Sequence, residues 1–136
     1  MTEKELNSVR ELHSRIRDFE WYLKALRASA ENIVPMIDGL PHATTIQSKV
    51  EKLALKIADA ERELKALQRK FVNAAVELKS KINAAKLNRQ EEAVLILRYV
   101  SCMNFQDIWQ TLNTSDARIF YLHRTGLKKF LKDKVD

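Results

Sequence analysis

Apolar residues return every three or four positions along almost the whole chain, a spacing that predicts helices rather than strands. The first series is Leu12, Ile16, Phe19, Leu23, Leu26, Ala30 and Ile33. Its alternation of four and three is a heptad seam, the pattern of coiled-coil packing. A second series runs Ile46, Val50, Leu53, Ile57, Ala60, Leu64, Leu67, Phe71, Ala74, Leu78 and then Lys81 or Ile82. The predicted helices cover about residues 3–33 and 45–86, with a loop at 34–44. Thr2 is placed to cap the first helix, and Thr44 or Thr45 the second. Pro35 stops the first, because proline disfavours helical geometry in the residue before it. Met36, Ile37 and Leu40 in the loop are expected to fold back as a plug over the helical pair. Trp21 and Tyr22 lie beside the seam, either widening it for a further helix or staying half exposed. The second helix, about forty residues long, makes a rod of roughly 60 Å. A rod of that length with an apolar seam is expected to pair, and a homodimer is the natural form.

The pattern changes after Leu87. Ala93, Val94, Leu97 and Val100 form one stripe, Ile108 and Leu112 a second, and Ile119, Leu122, Leu127 and Phe130 a third. Polar interruptions separate them at Ser101–Asn104 and Asn113–Ser115. Asn104 is placed to cap one short helix and Thr114 or Ser115 the next. Three helices follow, at about residues 89–100, 105–112 and 115–132. Asn83 and Asn88 mark the weak points between this region, residues 87–136, and the hairpin, residues 1–86. Glu91 and Glu92 fall in a first helical turn, where carboxylates suit the helix dipole. A short helix, a turn and a longer helix with a basic outer face is the unit that docks into the DNA major groove.

Helical spacing sorts the last helix into faces. Ile119, Leu122, Gly126, Leu127 and Phe130 point inward. Ser115, Asp116, Ala117, Arg118, Phe120, Tyr121, Arg124, Thr125 and Lys128 lie wholly or partly outside. The forked donors of Arg124 suit guanine, Asp116 suits a cytosine amino group, and Ala117 or Phe120 a thymine methyl. Thr114, Ser115, Arg118, Lys128 and Arg89 are candidates for backbone phosphates. The bland reading is that these are solvated charges, with Phe120 and Tyr121 packed against the coiled coil. His123, near Trp109 by position, suits a structural hydrogen bond.

The run Leu87, Glu91, Val94, Leu95, Leu97, Arg98, Tyr99, then Phe105, Ile108, Leu112, then Ser115, Ile119, Leu127, Lys128, Lys129, Phe130 resembles region 4 of bacterial sigma factors. It is similar as well to the ArpU- and RinA-type transcriptional regulators of Gram-positive phages and prophages. Phe120, His123 and Leu127 stand where those relatives have a Tyr-x-x-His-x-x-x-Leu-like ending. Asp38-Gly39-Leu40-Pro41 resembles their Asp-Gly-Met-Pro segment with one change. Two positions depart from the pattern: Trp109 follows Ile108 where a small residue is usual, and Gly126 sits inside the reading helix. The resemblance implies an all-α fold, a helical hairpin followed by a sigma-4-like helix-turn-helix. It also implies a regulator that reads duplex DNA through Asp116, Ala117, Phe120, Tyr121 and Arg124, with host RNA polymerase as a further partner.

Composition narrows the classes. Two Gly and two Pro among 136 residues, with 46% apolar and 31% charged, leave little turn material for a sheet. The net charge of +6 suits a polyanionic partner. It is not concentrated by region: residues 86–136 carry nine Lys and Arg against six Asp and Glu, and the remaining +3 lies upstream. Within the last region it gathers late, at Arg118, Arg124, Lys128, Lys129, Lys132 and Lys134. Cys102 is alone, which excludes an internal disulfide and suits a small buried hydrophobe. No apolar run approaches a membrane span and no secretory core is visible, so a cytoplasmic protein in a bacterial host is expected. His13, His42 and His123 lie in separate segments, and no phosphate loop or nucleophile–base pair is present. The chain reads as a non-enzyme with no cofactor and no metal. Two alternatives stay open: a phage small terminase-like packaging protein, and a modulator that binds protein through Trp109, Phe120 and Tyr121 without DNA.

Overall fold

Long runs without glycine or proline, carrying a three-and-four apolar seam, have one economical solution, a helix that buries the seam. A computed structural model of the chain describes residues 3–33 and 43–132. It is all-helical, with no strand among the described residues. Helix α1 spans Glu3–Ile33 and α2 spans Ala43–Ala84. Helix α3, Arg89–Leu95, runs on into a π-helical turn, Ile96–Val100. Helices α4, Phe105–Thr111, and α5, Asp116–Lys132, follow. The Thr2 cap and the apolar plug at residues 36–40 lie outside the described residues. Helix α2 starts upstream of Thr44 and Thr45, which therefore fall inside its first turn.

The chain divides into two compact units, and the one that carries α3 to α5 also takes the ends of both long helices. It comprises Met1–His13 with Lys70–Asp136, and so draws on both sides of residue 86. Its larger core is Leu6, Val9, Leu78, Ile82, Leu95, Tyr99 and Phe130. Fully burying each such side chain stabilises the fold by about 1.5–3 kcal/mol. Val94, Ile108, Ile119 and Leu122 form a second core, with Leu97, Met103, Phe105, Trp109 and Leu112 at its margin. Cys102 is half-buried, its Sγ within 4.0 Å of the Val9 carbonyl. Burial raises the thiol pKa, which keeps the group protonated and unreactive.

The second unit is Ser14–Arg69. Among its described residues the buried apolar ones are Ile16, Leu23, Ala60 and Leu67, all from the two seams. Arg27 and Glu61 pair at 3.0 Å with both side chains about half exposed, so the pair adds little energy. Trp21 is 72% exposed and Tyr22 48%, and Tyr22 packs edge-on against Phe19. Both rings therefore stand largely outside the seam.

The ends of the short helices follow local rules closely. Asn88 accepts from the Glu91 N–H at 2.8 Å, and Glu91 reaches back to the Asn88 N–H at 3.2 Å, a reciprocal capping box. The Asn104 side chain caps α4 through the Asp107 N–H at 2.8 Å. Helix α4 ends on a Schellman pair, Asn113 N–H to Gln110 C=O and Thr114 N–H to Trp109 C=O. Asn113 takes φ 51° there, a left-handed conformation that asparagine tolerates better than most residues. Cys102 takes φ 59° after the π-helical turn, and Met103 N–H closes back on Leu97 C=O.

Candidate nucleic-acid interface

Helix α5 begins where two short polar side chains meet its free N–H groups. Ser115 Oγ accepts from Arg118 N–H at 3.3 Å, and Asp116 Oδ1 accepts from Ala117 N–H at 2.7 Å. From there one face is locked inward: Ile119, Leu122, Gly126 and Phe130 are buried, and Leu127 is half-buried. The other face is open. Ser115, Asp116, Ala117, Arg118, Phe120, Tyr121, Arg124 and Lys128 are all exposed. Arg89 is exposed as well, whereas Thr114 is half-buried and donates its hydroxyl to the Leu112 carbonyl at 3.0 Å. Thr125 is half-buried and donates its hydroxyl to Leu122 C=O at 3.3 Å.

Two of the exposed positions are aromatic and sit in a ring cluster. Phe120 lies 4.9 Å from Phe105 and 6.2 Å from Trp109 between ring centres, yet is 45% exposed. Trp109 is thus peripheral packing rather than an obstacle at the helix crossing. The close crossing falls instead at Gly126, where an added Cβ would lie 3.3 Å from Glu91 Cβ and 3.4 Å from Leu95 Cγ. Beneath the cluster the Arg98 guanidinium lies 4.1 Å from the Phe105 ring centre and donates to Met103 C=O at 3.2 Å.

Two polar groups of α3 that hold side chains of α5 were less visible in the sequence. Glu91 is only 1% exposed and accepts from Lys129 Nζ at 2.9 Å. Burial alone would raise its pKa, but hydrogen bonds from Thr125, Lys129 and the Asn88 backbone hold it below the ordinary glutamate value. The Asn88-x-x-Glu91 spacing is a capping-box signal that marks Glu91 beyond a dipole preference. Gln90 Oε1 accepts from Arg118 at 2.8 Å, a contact across 28 positions that leaves no local trace in sequence.

His123 makes the structural hydrogen bond expected of it, with Tyr99 as the partner. Its Nε2 lies 2.7 Å from the Tyr99 hydroxyl, its ring stacks on Tyr99, and it meets Phe105 edge-on. Burial lowers its pKa, and the charges of Arg98 and Arg10 lower it further. A folded-state pKa below the unfolded one means the unfolded chain binds the proton first as pH falls. Stability is therefore full above the ordinary histidine range and is lost on acidification through it. We expect the melting temperature to fall between about pH 7 and about pH 5, and His123→Gln to flatten that fall. Glu91 acts in a lower window, below the ordinary glutamate value, so the Gln variant separates the two. An unchanged profile would remove His123 from the acid response.

No group of three or more His, Cys, Asp or Glu stands together among the described residues, and no described helix is long and apolar enough to cross a membrane. No family model, curated protein or solved structure matches this chain.

Proposed function

We propose that the chain is a sequence-specific binder of double-stranded DNA, a transcription regulator of the phage and prophage type, with α4 and α5 as a sigma-4-like helix-turn-helix. One observation carries the reading. Ser115 and the seven candidate contact positions of α5 are all exposed, while the opposite face of the same helix is buried against α3 and α4. A helix held rigidly along one side, with its first turns open and Arg118, Arg124 and Lys128 on the open side, has the form of a major-groove reader. The asparagine-capped α4 and its Schellman turn support a fixed angle between the two helices.

The reading extends to α1 and α2 as an antiparallel hairpin that pairs two copies. Arg27 with Glu61 supports it in one unit, and the shared burial of Leu6 and Val9 with Leu78 and Ile82 in the other. Mass in solution tests the dimer, and a ring of many copies would turn the reading toward the packaging-protein alternative. The protein-binding alternative draws on the exposure of Phe120 and Tyr121, 45% and 48%.

Binding of the full chain to labelled duplex over a range of salt tests the proposal. The expected result is binding whose log affinity falls linearly with log salt, steeply enough for several phosphate contacts. An absence of duplex binding at low salt would overturn it and leave the aromatic patch as a protein-docking surface.

A further inference from the structure

We infer that Gln90 and Arg118 together form a contact for a backbone phosphate, with Gln90 orienting the guanidinium; this rests on the DNA-binding reading above. The geometry begins with the hydrogen bond of 2.8 Å between Arg118 Nη2 and Gln90 Oε1. Arginine has donors only, so the carboxamide must present its oxygen to Arg118 and turn its NH₂ away. Both residues are exposed. The pair thus offers solvent two sets of N–H donors, from the carboxamide and from the unused edge of the guanidinium. A second contact restrains the arginine, whose guanidinium carbon lies 5.5 Å from the Tyr121 ring centre.

The chemistry of the acceptor decides what the pair is for. A carboxylate at position 90 would hold the arginine at least as firmly but would cancel its charge. A carboxamide holds it and leaves the positive charge available. Of the acids close in sequence, Glu91 pairs with Lys129, and Asp116 turns Oδ1 to the Ala117 N–H. An oriented guanidinium beside an amide NH₂ suits a multidentate anion contact, and on a groove-reading helix that anion is a phosphate.

The test is binding of the full chain to a labelled mixed-sequence duplex across salt, for wild type, Gln90→Ala, Gln90→Glu, Arg118→Ala and the Gln90→Ala/Arg118→Ala double variant. Gln90→Ala is expected to weaken binding about 3- to 10-fold, the effect of one ordinary hydrogen bond at an exposed site. In the Arg118→Ala background that loss should shrink, because the part of it that comes from orienting the guanidinium is already gone. Gln90→Glu should weaken binding more than Gln90→Ala, and make the slope of log affinity against log salt shallower by about 0.9, one phosphate contact. Its melting temperature should not fall, since a carboxylate in the first turn of α3 favours the helix. If Arg118→Ala weakens binding while both Gln90 variants bind as wild type, the inference fails and the DNA reading stands. Equal losses in both Gln90 variants with unchanged slopes would make Gln90 merely structural and also overturn it. No binding by the wild type would sink the reading and the inference together.

Discussion

Phe130→Ala is expected to lower stability by about 3–5 kcal/mol, a large share of the whole for a domain of this size. Phe130 is 1% exposed and lies in one core with Leu6, Val9, Leu78, Ile82, Leu95 and Tyr99. It is therefore the point where α5 meets residues from both long helices and from α3. Truncation removes the transfer energy of the ring and leaves a cavity lined by side chains that other contacts already hold. Urea unfolding followed by far-ultraviolet circular dichroism measures it, and the midpoint should fall sharply. A change below about 1 kcal/mol would mean the ring is not in a packed core. The size of the effect also bears on the proposed function, because α5 keeps its angle only while the core beneath it is filled.

Gly126→Leu is the second large effect, about 3 kcal/mol of destabilisation from overpacking. Helix propensity alone argues the other way, since glycine costs about 1 kcal/mol relative to alanine inside a helix. The space decides. A Cβ at Gly126 meets Glu91 Cβ at 3.3 Å and Leu95 Cγ at 3.4 Å. Neither neighbour moves easily: Glu91 is bonded to Asn88 and Lys129, and Leu95 is fully buried. Gly126→Ala should come out near neutral, its propensity gain offset by the tight contact, while Gly126→Leu drives α3 and α5 apart. Chemical denaturation of both variants measures the pair. A Leu variant as stable as wild type would mean the two helices do not cross closely there.

The regular part of this chain was legible because helical burial repeats. Each seam residue from Leu12 to Ala30 and from Val50 to Ile82 is buried or half-buried where it is described. The inward face of α5 and the caps at Asn104 and Ser115 followed from the same local rules. Val9 lies one heptad before Ile16 and continues the seam, whereas Leu6 falls one place off it, where the heptad puts Glu5. Glu61 shows the limit of spacing rules. Four residues apart, Lys65 is its natural helical partner, yet its carboxylate meets Arg27 on α1. Contacts made across tens of positions were beyond reach for the same reason, namely Tyr99 with His123, Glu91 with Lys129 and Gln90 with Arg118. The π-helical turn at Ile96–Val100 was hidden too, because its apolar residues fit an α-helical stripe equally well. At the candidate interface, exposure was readable from periodicity. What orients each exposed side chain was not.

The central claim is that α5 reads base sequence, and selection of bound duplexes from a random pool, with Arg124→Ala in parallel, tests it most directly. A sequence reader enriches a defined motif, and Arg124→Ala should lose or relax preference at the base pair that the arginine contacts. Two half-sites in the motif would add the dimer. Uniform recovery across the pool, unchanged in Arg124→Ala and collapsing as salt rises, would contradict the claim and leave a basic helix that holds phosphates without reading bases.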